Sequence, residues 1–391
     1  MDRLLIPFKQ NVLLNTLFFS NFFLSLHYAL IIYINSSFLS VFFKETQVSA
    51  LFMIGSIVGT AVLIIASRIL DGVGVYRFTR GTIVIEALAT LGMAVSTSAS
   101  LSAIFFVIHM ANIGLVLFNM DVLVESIPLD GNIMGEIRAT YLTITNLTIV
   151  LAPLLISLIL TDSMYGYIYL LSSLSLLPMY LLTKRFRDIK EDKIQHISVR
   201  DTVSAYTKNA DLFNIYICHQ LLQLFYAFMT VYTPIYLHKY MGFSWTEIGG
   251  IFTIMLLPFV LFELPLGELS DEKYGESEFL TIGFIIMGIS TLFMSFVTIK
   301  SFWIWATILF ITRTGASFVE ISSESYFFKK VKREETDVIS FFRISRPLSF
   351  IIAPILATIA LEFVPFEYIF IAIGSIMIVG THYSMTLKDT K

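Results

Sequence analysis

Four residues of the apolar stretch 302–327 could do chemistry together: Arg313, Ser317, Glu320 and Glu324. At 100° per residue they fall within about 60° of one another, so on a helix they form one stripe. A second apolar stretch, 337–361, carries Arg343 and Arg346 just before Pro347. Suppose the first helix descends to the cytosol near Phe328 and the second rises from Asp337. Glu320 and Arg346 then lie about 12 and 13 Å above that edge, and Glu324 and Arg343 about 6 and 9 Å above it. Two acid–arginine pairs are therefore expected, Glu320 with Arg346 and Glu324 with Arg343. Charges inside a lipid-embedded helix are costly and mark binding sites, gates or proton relays. The plainer alternative is a pair of neutralising contacts that let the helices insert. Glu320, the deeper carboxylate, is the expected proton carrier, because a carboxyl freed and recaptured by a breakable salt bridge can load and release a proton.

A weaker version of the pattern lies earlier in the chain. Asp121 and Glu125 are i, i+4 near one end of the stretch 101–125, and Arg138 opens the next, 134–160. Asn112 and Asn119 share a helical face, and Asn146 sits near the middle of its run. Buried amides also serve simply to bond neighbouring helices. His27, His109 and His219 stand within apolar runs as three lone histidines, for each of which a hydrogen-bonded helix contact is the ordinary role and proton carriage the special one.

Enzymatic patterns are absent or out of place. His196 and Asp201 have an H-x4-D spacing, but their loop is too short to hold a catalytic domain. There is no H-E-x-x-H, G-x-S-x-G or Walker loop, so no catalytic residue, cofactor or metal ligand is expected. The only cysteine, Cys218, rules out an internal disulfide.

The elements that must carry these groups are membrane helices. Hydrophobic residues make up 56% of the chain and charged residues 14%, against about 25% charged in soluble domains. A span needs about 20 mainly apolar residues. Twelve segments qualify: 11–38, 46–66, 80–97, 101–125, 134–160, 164–183, 211–237, 246–268, 278–299, 302–327, 337–361 and 367–386. With the N-terminus inside, only Lys44, Lys239 and Lys300 fall in outer loops, so both termini are expected in the cytosol of a multi-pass cell-membrane protein. Pro153, Pro234, Pro258 and Pro354 each remove a backbone bond and are expected to kink their helices. The longest polar stretch, 184–210, separates the sixth and seventh spans and reads as a short amphipathic surface helix or a solvated linker. The basic residues form no aromatic-rich basic face, which argues against nucleic acid.

The two halves echo each other. Ser67-Arg68-Ile69-Leu70-Asp71-Gly72-Val73-Gly74 and the acidic turn Gly267-Glu268-Leu269-Ser270-Asp271-Glu272-Lys273-Tyr274-Gly275 both separate apolar runs. Residues 149–155 match 350–356 at an offset of 201, which Gly114 and Gly315 keep, as do Asn119 and Glu320. A repeat this long points to a duplicated helical bundle.

With twelve spans, a long central loop and a G-x-L-x-D turn at Gly267, Leu269 and Asp271, the chain resembles the major facilitator superfamily. Glu276 stands where that family has Arg or Lys. The resemblance implies an all-α integral membrane fold of two pseudo-symmetric six-helix bundles, 1–188 and 210–391, joined by a cytosolic linker, 189–209. It implies a secondary active transporter of a small solute, with the halves rocking about a central cavity in alternating access and proton coupling expected. Asp71 would face the start of the eleventh helix, and Asp271 the start of the fifth near Arg138, where a carboxylate at a helix N-terminus is favourable. Asn112, Asn119, Asn146, His219, Arg313, Glu320 and Arg346 are then the candidate cavity residues. Asp71, Glu125, Arg138, Asp271, Glu324 and Arg343 are the candidate cytosolic gate. The partners expected are a small-molecule substrate and the bilayer, with no obligate protein partner. A non-transporting sensor or assembly factor on the same fold is the alternative.

Overall fold

The structure, a computed structural model, describes residues 12–126, 134–160, 164–187, 206–272, 275–331 and 336–388. Within these, the side chains of 67, 71, 125, 134–139, 142, 263–272, 328, 336, 337, 339 and 340 lie outside the description. The expected surface helix or linker within 184–210 falls mostly outside it as well.

The chain divides into two compact units, 1–195 and 196–391. The first holds α1 (Val12–Ile32), the short α2 (Asn35–Leu39), α3 (Glu45–Val73), α4 (Val75–Val95), α5 (Ala99–Ser126), α6 (Met134–Ile159) and α7 (Tyr165–Leu182). The second holds α8 (Ala210–Ile235), α9 (Trp245–Glu272), α10 (Glu276–Met294), α11 (Phe302–Lys330), α12 (Thr336–Phe363) and α13 (Ile369–Ser384). Eleven of these helices are long and apolar enough to cross a membrane, and α6 adds a shorter apolar stretch, Thr143–Ile159. Its first turns carry Glu136 and Arg138, which shortens the apolar part of the expected fifth span.

Local chemistry sets the helix ends. Gln47 Oε1 accepts from Lys44 N at 3.0 Å, tying off the start of α3. The Asn209 side chain accepts from Leu212 N at 3.2 Å and caps α8. At the start of α9, Ser244 N donates to Glu247 Oε2 at 2.8 Å, and Glu247 N donates to Ser244 Oγ at 3.3 Å. That reciprocal exchange is a capping box. The two sequence turns are not turns along their length. Helix α3 continues through Asp71 to Val73, and α9 through Asp271 to Glu272. Nothing in Ser67–Gly72 breaks a helix strongly enough to stop it, and the chain reverses only at Gly74, whose φ of 87° suits a residue without a Cβ.

Packing within each unit follows one pattern. In the first, α1 packs on α6 and α7, α4 on α5 and α7, and α3 on α5. In the second, α8 packs on α12 and α13, α10 on α11 and α13, and α9 on α11. Helix by helix these are the same five pairings, so the repeat in the sequence is also a repeat in contacts. Helices α10 and α11 cross where a Cβ on Gly315 would lie 2.6 Å from Met287 N and 2.7 Å from Gly283 O. Its repeat equivalent, Gly114, has open space around it. Large apolar side chains such as Ile64, Leu158, Trp303 and Phe363 lie exposed on the helices. A water-soluble core would bury them, whereas hydrocarbon solvates them.

Candidate functional site

The polar groups gather in two places, one in each unit. In the second unit, Arg313 on α11 is only 2% exposed, deep enough that its charge needs compensation. Phe225 and Tyr226 on α8 flank it, each ring centroid 5.2 Å from the guanidinium carbon. Arg313 Nε has no hydrogen-bond partner among the described residues. Two turns along α11, Glu320 is partly buried and accepts from the Tyr226 hydroxyl at 2.7 Å. One side chain of α8 therefore touches both members of the α11 stripe. Arg346 is exposed, and it acts on Glu320 only through space, as Arg313 does. The hydrogen bond to Glu320 thus comes from Tyr226 of α8, which packs on α11, where Arg346 was expected.

The shallower pair takes the expected partners. Arg343 Nη1 and Nη2 lie 2.6 and 3.2 Å from Glu324 Oε1 and Oε2, a two-pronged grip between α12 and α11. Both side chains are partly exposed, so its worth is about 1 kcal/mol or less. His219 on α8 stacks on Phe342 with centroids 4.0 Å apart, and its Nδ1 lacks a partner among the described residues. Gln220 donates to Ser349 Oγ at 2.6 Å and bonds α8 to α12. Glu276, the acid in place of a basic residue, is buried in the first turn of α10 and paired with Lys329 of α11. The α10 N-terminus favours negative charge there, and the α11 lysine neutralises it.

In the first unit, Asn112 donates to Thr82 O and to Glu86 Oε2, each at 2.9 Å. Asn119 donates to Thr82 Oγ1 at 3.0 Å. These two candidate cavity amides therefore brace α5 on α4. Asn146 is half-buried on α6. The side chains of Asp71, Glu125, Arg138 and Asp271, four of the candidate gate residues, lie outside the described residues.

His27 and His109 are not lone histidines. Glu86, at the centre of α4 and fully buried, stands between them. Its Oε1 contacts His27 Nε2 at 3.1 Å and also His109 Nδ1. Ser172 of α7 lies behind His27, with Oγ 2.8 Å from Nδ1. Asn35 Nδ2 lies 3.4 Å from His109 Nε2, and Tyr169 donates to Asn35 Oδ1 at 2.7 Å. Five elements, α1, α2, α4, α5 and α7, close this network in the interior of the unit. The two imidazoles and the carboxylate bring three donor atoms within 4.8 Å of one another, a spacing that a cation also needs. Here those atoms already satisfy each other by direct hydrogen bonds. The local signal for Glu86 is a carboxylate at the middle of the apolar stretch 80–97; its two histidine partners lie on other helices.

Comparison with known proteins supplies the context. Residues 215–388 match the model of the Major Facilitator Superfamily. No curated protein matches by sequence. Among solved structures, a single-residue variant of the nucleoside transporter NupG is similar over 96% of this chain and 99% of its own, with TM-score 0.77 and 14% identity. A POT family transporter in complex with 5-aminolevulinic acid is similar over 94% of both chains, with TM-score 0.75 and 13% identity. At these identities the likeness is one of fold.

Proposed function

We propose, from the premise that this chain is a membrane transporter of the major facilitator superfamily, that it is a secondary active carrier of a small solute bearing an anionic group. One observation carries this reading: Arg313 is buried at 2% exposure on a spanning helix, walled by two aromatic rings, with Nε unbonded among the described residues. An arginine so placed is expensive unless an anion meets it. A carboxylate or phosphate on the solute supplies that anion, and the planar guanidinium suits either. Glu320, held by Tyr226, is the natural partner for a cationic group on a zwitterionic solute, or for a proton when that group is absent. The work is drawn from a proton gradient by alternating access, and Glu320 is the coupling carboxylate. Glu324 and Arg343, with Asp71, Glu125, Arg138 and Asp271, serve the cytosolic gate, and both termini face the cytosol.

The test is uptake into vesicles of purified protein containing an internal pH dye. The solutes are 5-aminolevulinic acid, simple carboxylates, sugar phosphates and neutral nucleosides. Uptake of anion-bearing solutes is expected, with loss of at least tenfold in Arg313→Gln and partial retention in Arg313→Lys. Glu320→Gln should exchange solute without net proton movement. Parental uptake rates in Arg313→Gln, or uptake confined to neutral solutes, would overturn the reading.

A further inference from the structure

We infer that His27, Glu86 and His109 form a proton-holding site inside the first unit, with His27 as the residue whose proton count changes. The hydrogen bonds around the two imidazoles differ in kind. Asn35 Oδ1 is taken by the Tyr169 hydroxyl, so its Nδ2 faces His109 Nε2, which must be a lone pair. His109 therefore carries its proton on Nδ1, toward Glu86 Oε1, and has one stable form.

His27 has two. Its Nε2–H donates to Glu86 Oε1 in both. Its Nδ1 lies 2.8 Å from the Ser172 hydroxyl oxygen and 3.1 Å from the Ser172 carbonyl oxygen. When His27 is neutral, Nδ1 accepts from the hydroxyl. When His27 is charged, Nδ1–H donates to the hydroxyl oxygen, with the carbonyl, which also accepts from Ser175 Oγ at 2.7 Å, as the second acceptor in reach. The displaced hydroxyl proton also has a destination, since Ser172 Oγ lies 3.1 Å from His27 O. The step is simple addition: a proton from water bonds to the Nδ1 lone pair and the Ser172 hydroxyl rotates. Every polar group keeps a partner before and after.

Charge gives the reason for uptake. With both imidazoles neutral, the buried cluster holds the single negative charge of Glu86, which low-dielectric surroundings penalise. One added proton makes the cluster neutral. The titratable groups acting on Glu86 among the described residues are these two histidines. On α4 itself, Arg80 is engaged over the Tyr180 ring of α7 at 3.8 Å. Helix α7 otherwise faces the cluster with Tyr169, beside Tyr165. On α5, Asp121 lies twelve residues beyond His109, about 18 Å along the helix, and interacts with Tyr141 of α6. Helix α3, packed on α5, carries Glu45 and Arg68 toward its ends. The protonation step stands without the transport reading; its use as a second coupling site beside Glu320 rests on that reading.

The test needs no solute. Full-length protein labelled with 15N-histidine in lipid is titrated from pH 5 to 9, and imidazole nitrogen shifts report proton number and tautomer. His27→Gln and His109→Gln assign the signals. His27 should convert between charged and neutral forms, while His109 keeps its Nδ1–H neutral form throughout. In Glu86→Gln, His27 should stay neutral across the range. Should that variant fail to fold, Ser172→Ala serves, since it removes the donor that neutral His27 needs and leaves charged His27 the Ser172 carbonyl. At the pH where parental His27 is half charged, more than about three-quarters should then be charged. The proposal falls if His27 is neutral at every pH, if Ser172→Ala leaves its titration unchanged, or if metal analysis finds a stoichiometric ion in the purified protein. A titrating His27 in a protein that moves no solute would retain this site and remove the transport reading.

Discussion

Tyr226 on α8 donates its hydroxyl to Glu320 of α11 at 2.7 Å, and the same ring lies 5.2 Å from the Arg313 guanidinium. One tyrosine thus orients the acid and walls the base of the same stripe. Tyr226→Phe keeps the ring and removes the hydrogen bond, so it should cost about 1.5–3 kcal/mol in unfolding free energy, the range for a bond to a charged group. Combined with Glu320→Gln, the losses should be less than additive. Additive losses in a double-mutant cycle would mean that the contact contributes nothing.

Arg343 and Glu324 should matter to transport more than to folding. Their two-pronged contact is partly exposed, so neutralising either should change stability by about 1 kcal/mol or less. If the pair belongs to a gate, Arg343→Gln and Glu324→Gln should each lower solute flux several-fold. The charge-swapped pair, Arg343→Glu with Glu324→Arg, should regain part of it. Parental flux in both single variants would place the pair outside the gate.

Gly315 and Gly114 occupy matching places in the repeat but should respond oppositely to alanine. At Gly315 the new Cβ meets backbone atoms of α10 at 2.6 and 2.7 Å, which cannot move aside without separating the helices. Gly315→Ala should lower the thermal midpoint and the yield of folded protein sharply. Gly114→Ala enters open space and should leave stability unchanged or slightly raised, because alanine favours helix by up to about 1 kcal/mol. Equal sensitivity at both positions would contradict the observed crossing.

Orientation is open to direct labelling. With Cys218 replaced, single cysteines at Lys44 and Lys300 should react with an impermeant thiol reagent added outside intact cells, and one at His196 should not. The expectation follows from the Lys/Arg bias of the loops. Labelling at position 196 from outside would invert the topology.

What the sequence determined by itself was whatever depends on neighbours within one helix. Runs such as 101–125 read as spans because 1.5 Å per residue turns apolar length directly into membrane thickness. Arg313, Glu320 and Glu324 read as one stripe because 3.6 residues per turn fixes their angles before any other helix is placed. The grip of Arg343 on Glu324 was legible too, since the two helices are consecutive and depth along them can be counted from the connecting loop. Tertiary structure decided whatever depends on how each helix is rotated about its axis. Tyr226 reaches Glu320 from 94 positions away. His27 and His109 stand 59 and 23 positions from Glu86, on three helices whose facing sides no local period specifies. A hydrophobic stripe orients a helix in water, but these helices are apolar nearly all round, so only close packing and the pairing of buried polar groups set which side faces in.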